Sequence, residues 1–385
     1  MKNIVICFDG TWNTADAEFP TNVVKTAKML LPTDANYANQ VVFYDEGVGS
    51  GQVAFAQTIN GLLGGAFGAG LMNNIQSAYR FLAFNYSPGD RIFLFGYSRG
   101  AFSARSFGGL LRTCGVLDKE NINRVGEAVA IYKNRDRKLG ADAPECIKFR
   151  RDYSVASYRS SDSAAPDTPH PLTIEYMGVW ETVGSLGVPS DFLLASLFNR
   201  KYQFHDLALS RMVKSARHAV AIDEKRRTFV ATPWENIDDL NRHAGRADVP
   251  VAEQPYLQQW FPGDHATVGG GGDVNGLWEA SLVWVVEGGQ RCGLAVDQAA
   301  LDSYRNNIKH FVSVHCMNRR TFSWSSLSLR RWREGPRKGR EAEVSEVARL
   351  RIKETKERLF ERRLYRPKSL REVLQGLAQQ LGLST

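Results

Sequence analysis

Cysteine gives this sequence no scaffold. Its five residues, Cys7, Cys114, Cys146, Cys292 and Cys316, are odd in number and widely scattered. They form no C-x-x-C pair and no Cys/His cluster with zinc-ligand spacing. A disulfide framework and a structural metal are thereby excluded, and the thiols are expected to be reduced and mostly buried. None of the Gly-rich stretches (47–51, 64–70, 269–272) ends in Gly-Lys-Ser/Thr, so there is no P-loop. No cofactor or metal is expected, and no internal repeat is visible. The N-terminus, MKNIVICFDG, offers five apolar residues in a row, too few for a signal-peptide core. A cytoplasmic location, or export without a cleavable signal, is the expectation that follows. One stretch, 53–72, lacks charge over a length that could span a bilayer, but Gly residues, Gln57, Thr58 and Asn60 keep its hydropathy modest. It reads as a loop leading into a buried helix.

What is present in excess is positive charge, and it sits in one place. The formal net charge is +8, and residues 330–371 alone hold 16 Lys/Arg against 7 Glu. The tail therefore accounts for the whole imbalance. Such a run could touch an anionic membrane surface. Its interleaved Glu354, Lys356, Glu357, Arg358, Glu361 and Arg362 read more plainly as a solvated helix laced with ion pairs. Nucleic acid is not expected as a partner.

Through the rest of the chain, apolar runs of strand length alternate with longer amphipathic segments, the pattern of a mostly parallel sheet with helices on both faces. Strands are expected at 4–8, 41–44, 91–95, 172–180, 227–231 and 257–261. Helices are expected near 22–31, 73–86, 101–111, 125–133 and 277–287, and 192–198 could be a helix lining a cleft or ordinary core. Residues 118–170 and 190–215 read as insertions that form a cap. The domain expectation is a catalytic unit over 1–329 followed by a basic helical segment over 330–385 that packs on or extends the same domain.

Gly96-Tyr97-Ser98-Arg99-Gly100 fits G-x-S-x-G. By itself the pentapeptide is common, but here it follows an apolar strand and opens a helix, the setting in which it forms a nucleophile elbow of the α/β-hydrolase fold. The flanking glycines let strand and helix approach while Ser98 is held with its hydroxyl projecting. A serine hydroxyl is a weak nucleophile, so a His must take its proton and a carboxylate must orient that His, in the chain order Ser, acid, His. Glu181 ends the strand 174–180 and enters a turn, although on spacing alone the reading to choose is a solvated loop residue. Of the seven histidines, His265 follows a strand and a Pro-Gly turn among further glycines. His218 lies in the helix-like ARHAVAIDE, and His310 and His315 in an alternating, strand-like piece. His170, His205 and His243 are in polar segments. Oxyanion donors are expected from the Arg99 amide and from Gly10 or Thr11 in the loop after the first strand. Asp9 and Asp264 are possible supporting groups.

Five blocks, FDGTWN, FGYSRGAFSAR, GVWETVGSLGVP, ARHAVAIDEKRRTF and WFPGDHATVGGG, together resemble a family of α/β hydrolases whose best-understood members are phospholipase effectors of bacterial type VI secretion. The resemblance runs in order to about residue 300. It implies Ser98 as nucleophile, Glu181 as acid and His265 as base, with an ester or lipid substrate and an acyl-enzyme mechanism. Two positions depart from the pattern: the family usually has Asp where this chain has Glu181, and often Asp where it has Thr267, so Asp264 is a candidate to compensate. The string FDGT also resembles the phosphatase motif D-x-D-G-T, but Cys7 stands in place of the nucleophilic Asp. The alternative to an esterase is a catalytically weakened hydrolase-fold protein that binds a partner through its basic tail.

Overall fold

The computed structural model describes residues 1–10, 13–47, 66–134, 140–158, 168–183, 208–226, 229–314, 332–359, 361 and 363–383. Strand β1 (Asn3–Phe8) is fully buried along its length, as a central parallel strand covered on both faces must be. Beside it lie β2 (Gln40–Asp45) and β3 (Arg91–Tyr97), then β7 (Ile174–Trp180), β8 (Ala216–Ala221) and β9 (Tyr256–Phe261). The order is β2-β1-β3-β7-β8-β9, and every pairing is parallel. A small second sheet joins β4 (Val116–Leu117), β5 (Ser154–Ser157) and β6 (His170–Pro171).

Alternation along β1 divides the core in two. Ile4, Ile6 and Phe8 face one cluster, filled by α2 (Ala66–Asn85), α3 (Arg99–Cys114), α4 (Val125–Lys133) and α5 (Pro144–Tyr153). Val5 and Cys7 face the other, filled by α1 (Asn22–Met29), α8 (Trp278–Arg291) and α9 (Gln298–Asn306). The remaining helices are α6 (Ile237–His243), α7 (His265–Gly269), α10 (Glu346–Lys353) and α11 (Leu374–Gln380). This is the expected α/β architecture, with helices on both faces of a parallel sheet. Strand order reverses between β1 and β3, so the crevice at their carboxyl ends is where a parallel α/β sheet places a site.

Several sequence expectations change. ARHAVAIDE is not helical: Ala216 to Ala221 is the interior strand β8, whose polar residues are buried by specific partners. Arg217 donates to the Trp284 carbonyl and lies against that indole, and His218 is enclosed, so no amphipathic period survives to mark a strand. The strand expected at 227–231 is reduced, in its described part, to one bridge from Ala231 to Val183. His310 lies in a turn, paired with Glu354 at 2.6 Å, and His315 lies outside the described residues. The ion-paired helix expected at 354–362 is not found in its described residues: α10 ends at Lys353 and turns follow, while Val344, Val347, Ile352, Leu359, Tyr365, Leu370, Val373 and Leu377 join the second core cluster. Within 118–170 lie α4, α5, β5 and β6, while the segments 192–198 and most of 190–215 and 53–72 fall outside the described residues. Among the described residues no helix is long and apolar enough to cross a membrane. The four described cysteines form no disulfide, and three of them are buried.

Candidate active site

Ser98 leaves β3 at φ 57, ψ −119 and caps α3. Positive φ is costly for a residue with a side chain, and the neighbouring glycines show why the chain accepts it here. A Cβ on Gly96 would lie 2.5 Å from the Gly100 carbonyl oxygen, and one on Gly100 would penetrate the carbonyl oxygens of Phe8 and Asp9. Strand β3, helix α3 and the end of β1 therefore meet at a separation that only glycine permits. The elbow expected from the pentapeptide is present. Arg99 opens the 16-residue α3, so its amide sits at the electropositive end of that helix.

Glu181 leaves β7 in the same manner, at φ 47. The register pairs Tyr97 with Trp180, so Ser98 and Glu181 are neighbours one step beyond the last rung. The Ser98 amide donates to the Trp180 carbonyl at 3.0 Å, and the Glu181 amide to the Ala219 carbonyl at 2.8 Å. His265 arrives from β9 through a turn in which Gly263 adopts φ 118 and donates its N–H to Asp223 at 2.8 Å. Asp264 then caps α7, accepting from the Thr267 amide at 3.0 Å and from its hydroxyl at 2.9 Å. Asp264 thus orients the helix that carries the imidazole, and Thr267 serves that cap.

These placements bring the three predicted residues together. His265 Nε2 lies 2.8 Å from Ser98 Oγ, and its Nδ1 lies 2.9 Å from Glu181 Oε2. Ser98, Glu181 and His265 are 5%, 0% and 5% exposed, so the hydrogen-bonded chain is shielded from water. Tyr97 and Phe229 flank the imidazole with ring centroids at 4.9 and 4.5 Å. Burial pulls the His265 pKa down, the bond to Glu181 pushes it up, and burial prevails, which keeps the ring neutral at neutral pH. Burial also opposes the Glu181 carboxylate, but the Arg333 guanidinium and His265 outweigh it and hold Glu181 well below the usual carboxylate range.

Three charged groups escaped sequence reasoning. Glu224 accepts the His265 amide at 3.1 Å and is held by a fork from Arg226. Arg333 donates to both Glu181 oxygens, at 2.7 and 3.1 Å. Glu224 and Arg226 lie inside a block noted for its resemblance. Had β8 been read as a strand, they would have stood at its carboxyl end, where sites gather. No sequence signal pointed to Arg333.

The other candidates are placed elsewhere. Gly10 donates its N–H to Asp9 Oδ1 at 2.6 Å, so the expected Gly10 oxyanion donor is engaged by its neighbour; Thr11 lies outside the described residues. Asp9 also accepts from Thr21 and Tyr44, each at 2.8 Å, and burial lifts its pKa to about 6. It fixes the turn after β1 and does not touch His265. Cys7 is fully buried, and burial with the nearby Asp9 charge raises its thiol pKa far above the usual range, which rules out a thiolate nucleophile there. His218 accepts the Thr182 amide at Nε2 (3.3 Å), so Nδ1 carries the proton toward Gln258 at 3.0 Å. That neutral ring props the residue following Glu181. His170 lies in β6 and His243 in the last turn of α6, away from Ser98, and His205 is outside the described residues.

Residues 2–288 match the family described as T6SS, phospholipase effector Tle1-like, catalytic domain. The chain belongs to this family. It is 32% identical over 248 residues to an uncharacterised protein of Saccharomyces cerevisiae, a stretch covering 59% of this chain and 32% of the yeast protein. Two solved structures are also similar. One is an uncharacterised protein from Pseudomonas aeruginosa, at TM-score 0.40 and 16% identity over 77% of this chain and 46% of that one. The other is a Tle1 effector bound to the VgrG spike of the type 6 secretion system, at TM-score 0.34 and 18% identity over 70% of this chain and 51% of that one. The chain therefore spans 32% of the curated relative and about half of each solved structure.

Proposed function

We propose that the protein is a serine hydrolase that cleaves carboxylic esters, with lipids or phospholipids as the substrate class that its family favours. One observation carries the reading: the unbroken hydrogen-bonded chain from Ser98 Oγ through His265 to Glu181. In this scheme neutral His265 takes the Ser98 proton at Nε2 as Oγ attacks the ester carbonyl. Glu181 holds Nδ1–H in place and stabilises the imidazolium that forms. The imidazolium then protonates the leaving alcohol, and water attacks the acyl-enzyme by the same route in reverse. In the same scheme the Arg99 amide, at the start of α3, stabilises the oxyanion. A binding module that had lost catalysis would have no reason to keep both strained turns and a buried, aligned acid and base.

Nine of the described tail cations are exposed, Arg337, Lys338, Lys353 and Arg371 among them, and a peripheral contact with an anionic membrane is part of the same proposal. The deciding experiment is hydrolysis of p-nitrophenyl esters of graded chain length and of a fluorogenic phospholipid, by wild type and Ser98→Ala. A loss of at least about 10³-fold in kcat is expected for the variant. Equal rates in the two proteins would end the hydrolase reading.

A further inference from the structure

We propose that Arg333 is a positioning residue of the catalytic relay, so that the C-terminal segment completes the active site. The inference rests on the Ser98 hydrolase reading above. Its ground is the environment of Glu181. A carboxylate offers about four acceptor positions. Here Oε1 takes the Ala221 amide at 2.6 Å and Arg333 Nη1 at 2.7 Å, and Oε2 takes His265 Nδ1 at 2.9 Å and Arg333 Nη2 at 3.1 Å. The guanidinium is anchored in turn, donating to the Phe229 carbonyl at 2.6 Å and the Ala221 carbonyl at 3.3 Å. Its side chain is 7% exposed and Glu181 is fully enclosed, so this ion pair is not a surface contact.

The fork answers a problem that glutamate creates. A Glu arm has one more rotatable bond than Asp, and an acid that wanders cannot fix the imidazole. A planar bidentate donor leaves the carboxylate a single orientation, which a lysine ammonium could not impose. Arg333 lies 45 residues beyond the end of the family match at residue 288, so the clamp comes from outside the matched catalytic domain. The segment that carries it is pinned to the carboxyl end of β8. Tyr365 donates to Asp223 at 2.7 Å, Ser369 to the Ile222 carbonyl at 2.8 Å, and Lys225 sits 4.1 Å over the Trp332 ring.

Arg333 also acts through its charge. The ionisable groups that face the pair are His265, Glu224, Arg226 and His218, with Arg105 acting on His218 from α3 and Tyr97 from β3. By drawing on the Glu181 charge, the guanidinium limits how strongly that carboxylate raises the basicity of His265. Its loss should loosen the acid and make the imidazole more basic at once. A residue that only held the tail in place would alter stability and leave the imidazole titration where it was.

The test uses the full chain labelled at histidine with ¹³C and ¹⁵N, the His265 signal being assigned with His265→Gln. In Arg333→Met, the His265 imidazole is expected to titrate about 0.5 pH unit or more above wild type. kcat on a p-nitrophenyl ester should fall about 10-fold or more, with KM changed less than about 3-fold. Arg333→Lys should recover the titration in part and kcat only weakly. An unmoved His265 titration in a folded Arg333→Met protein, judged by near-UV circular dichroism, would overturn the proposal. Should that variant fail to fold, full wild-type kcat in Arg333→Lys would overturn it equally. A wild type with no esterase activity, in which Arg333→Met still moves the imidazole, would overturn the hydrolase reading and leave the Arg333 coupling standing.

Discussion

Replacing Glu181 by Gln changes one oxygen to an amide nitrogen, and the surrounding donors decide which one. Ala221 N–H and Arg333 Nη1 both point at Oε1, so the amide oxygen must stay on that side. The NH₂ group then faces His265 Nδ1, where the carboxylate now accepts at 2.9 Å. Two donors cannot share a hydrogen bond, so the imidazole must shift its proton to Nε2, the atom that faces Ser98 Oγ. A base that already carries a proton toward its nucleophile cannot accept another. Loss of the correct tautomer costs a serine triad about 10⁴-fold in kcat, or about 5.5 kcal/mol of barrier. The NH₂ group also meets Arg333 Nη2, and the unmatched donors should cost about 1–3 kcal/mol of stability. Glu181→Asp keeps the charge and shortens the arm by about 1.5 Å, so it should retain a measurable rate. Steady-state hydrolysis of a p-nitrophenyl ester, with urea melts of the same preparations, measures both quantities. A Glu181→Gln protein within about tenfold of wild type in kcat would refute the tautomer argument and place the acid elsewhere.

Three further outcomes follow from the same geometry. Gly100→Ala would drive a methyl group into the carbonyl oxygens of Phe8 and Asp9, which as backbone cannot swing aside. It should cost at least about 3 kcal/mol and abolish activity, and a soluble variant melting with wild type would contradict the close-approach account. Because burial lowers the pKa of His265, the acid limb of kcat/KM should fall below the ordinary histidine value of about 6.5; a limb centred above pH 7 would count against it. His218, held down to about 3 chiefly by burial, gives the stability counterpart. As pH drops below about 6.5 the unfolded chain binds a proton there that the folded protein does not, so stability falls by about 1.4 kcal/mol per pH unit toward pH 3. The stability difference between wild type and His218→Gln should therefore narrow by about 2 kcal/mol from pH 7 to pH 5 in urea melts, and a constant difference would refute the neutral assignment.

How much of this was legible in the sequence depended on whether neighbours in the chain are neighbours in space. Strands β1, β3, β7 and β9 announce themselves as apolar runs bounded by turns, and Ser98, Glu181 and His265 each stand just past such a run. Strand β8 does not, because Arg217 and His218 are buried by partners 67 and 40 residues away, Trp284 and Gln258. Its polar residues mimic a helix face until those partners are known. Asp264 and Thr267 stand out in the sequence, but whether Asp264 faces the imidazole or caps a helix depends on backbone torsions that composition does not express. Arg333 was hidden for the same reason at greater distance: it meets Glu181 across 152 residues. In a tail so rich in arginine, nothing distinguishes the one that turns inward.

The paired rungs of β3 and β7 have a consequence for motion. Ser98 and Glu181 emerge from adjacent strands of one sheet, so their backbone spacing is that of the sheet, about 4.8 Å, and cannot change without shearing the core. His265 has no such tether. It rides a helix of five residues, two strands away from β7, held by the Asp264 cap, by Glu224 on its amide and by the Tyr97 hydroxyl on its carbonyl. The spacing of Ser98 and Glu181 is thus set by the sheet, whereas the position of the imidazole is set by the turn and cap that follow β9.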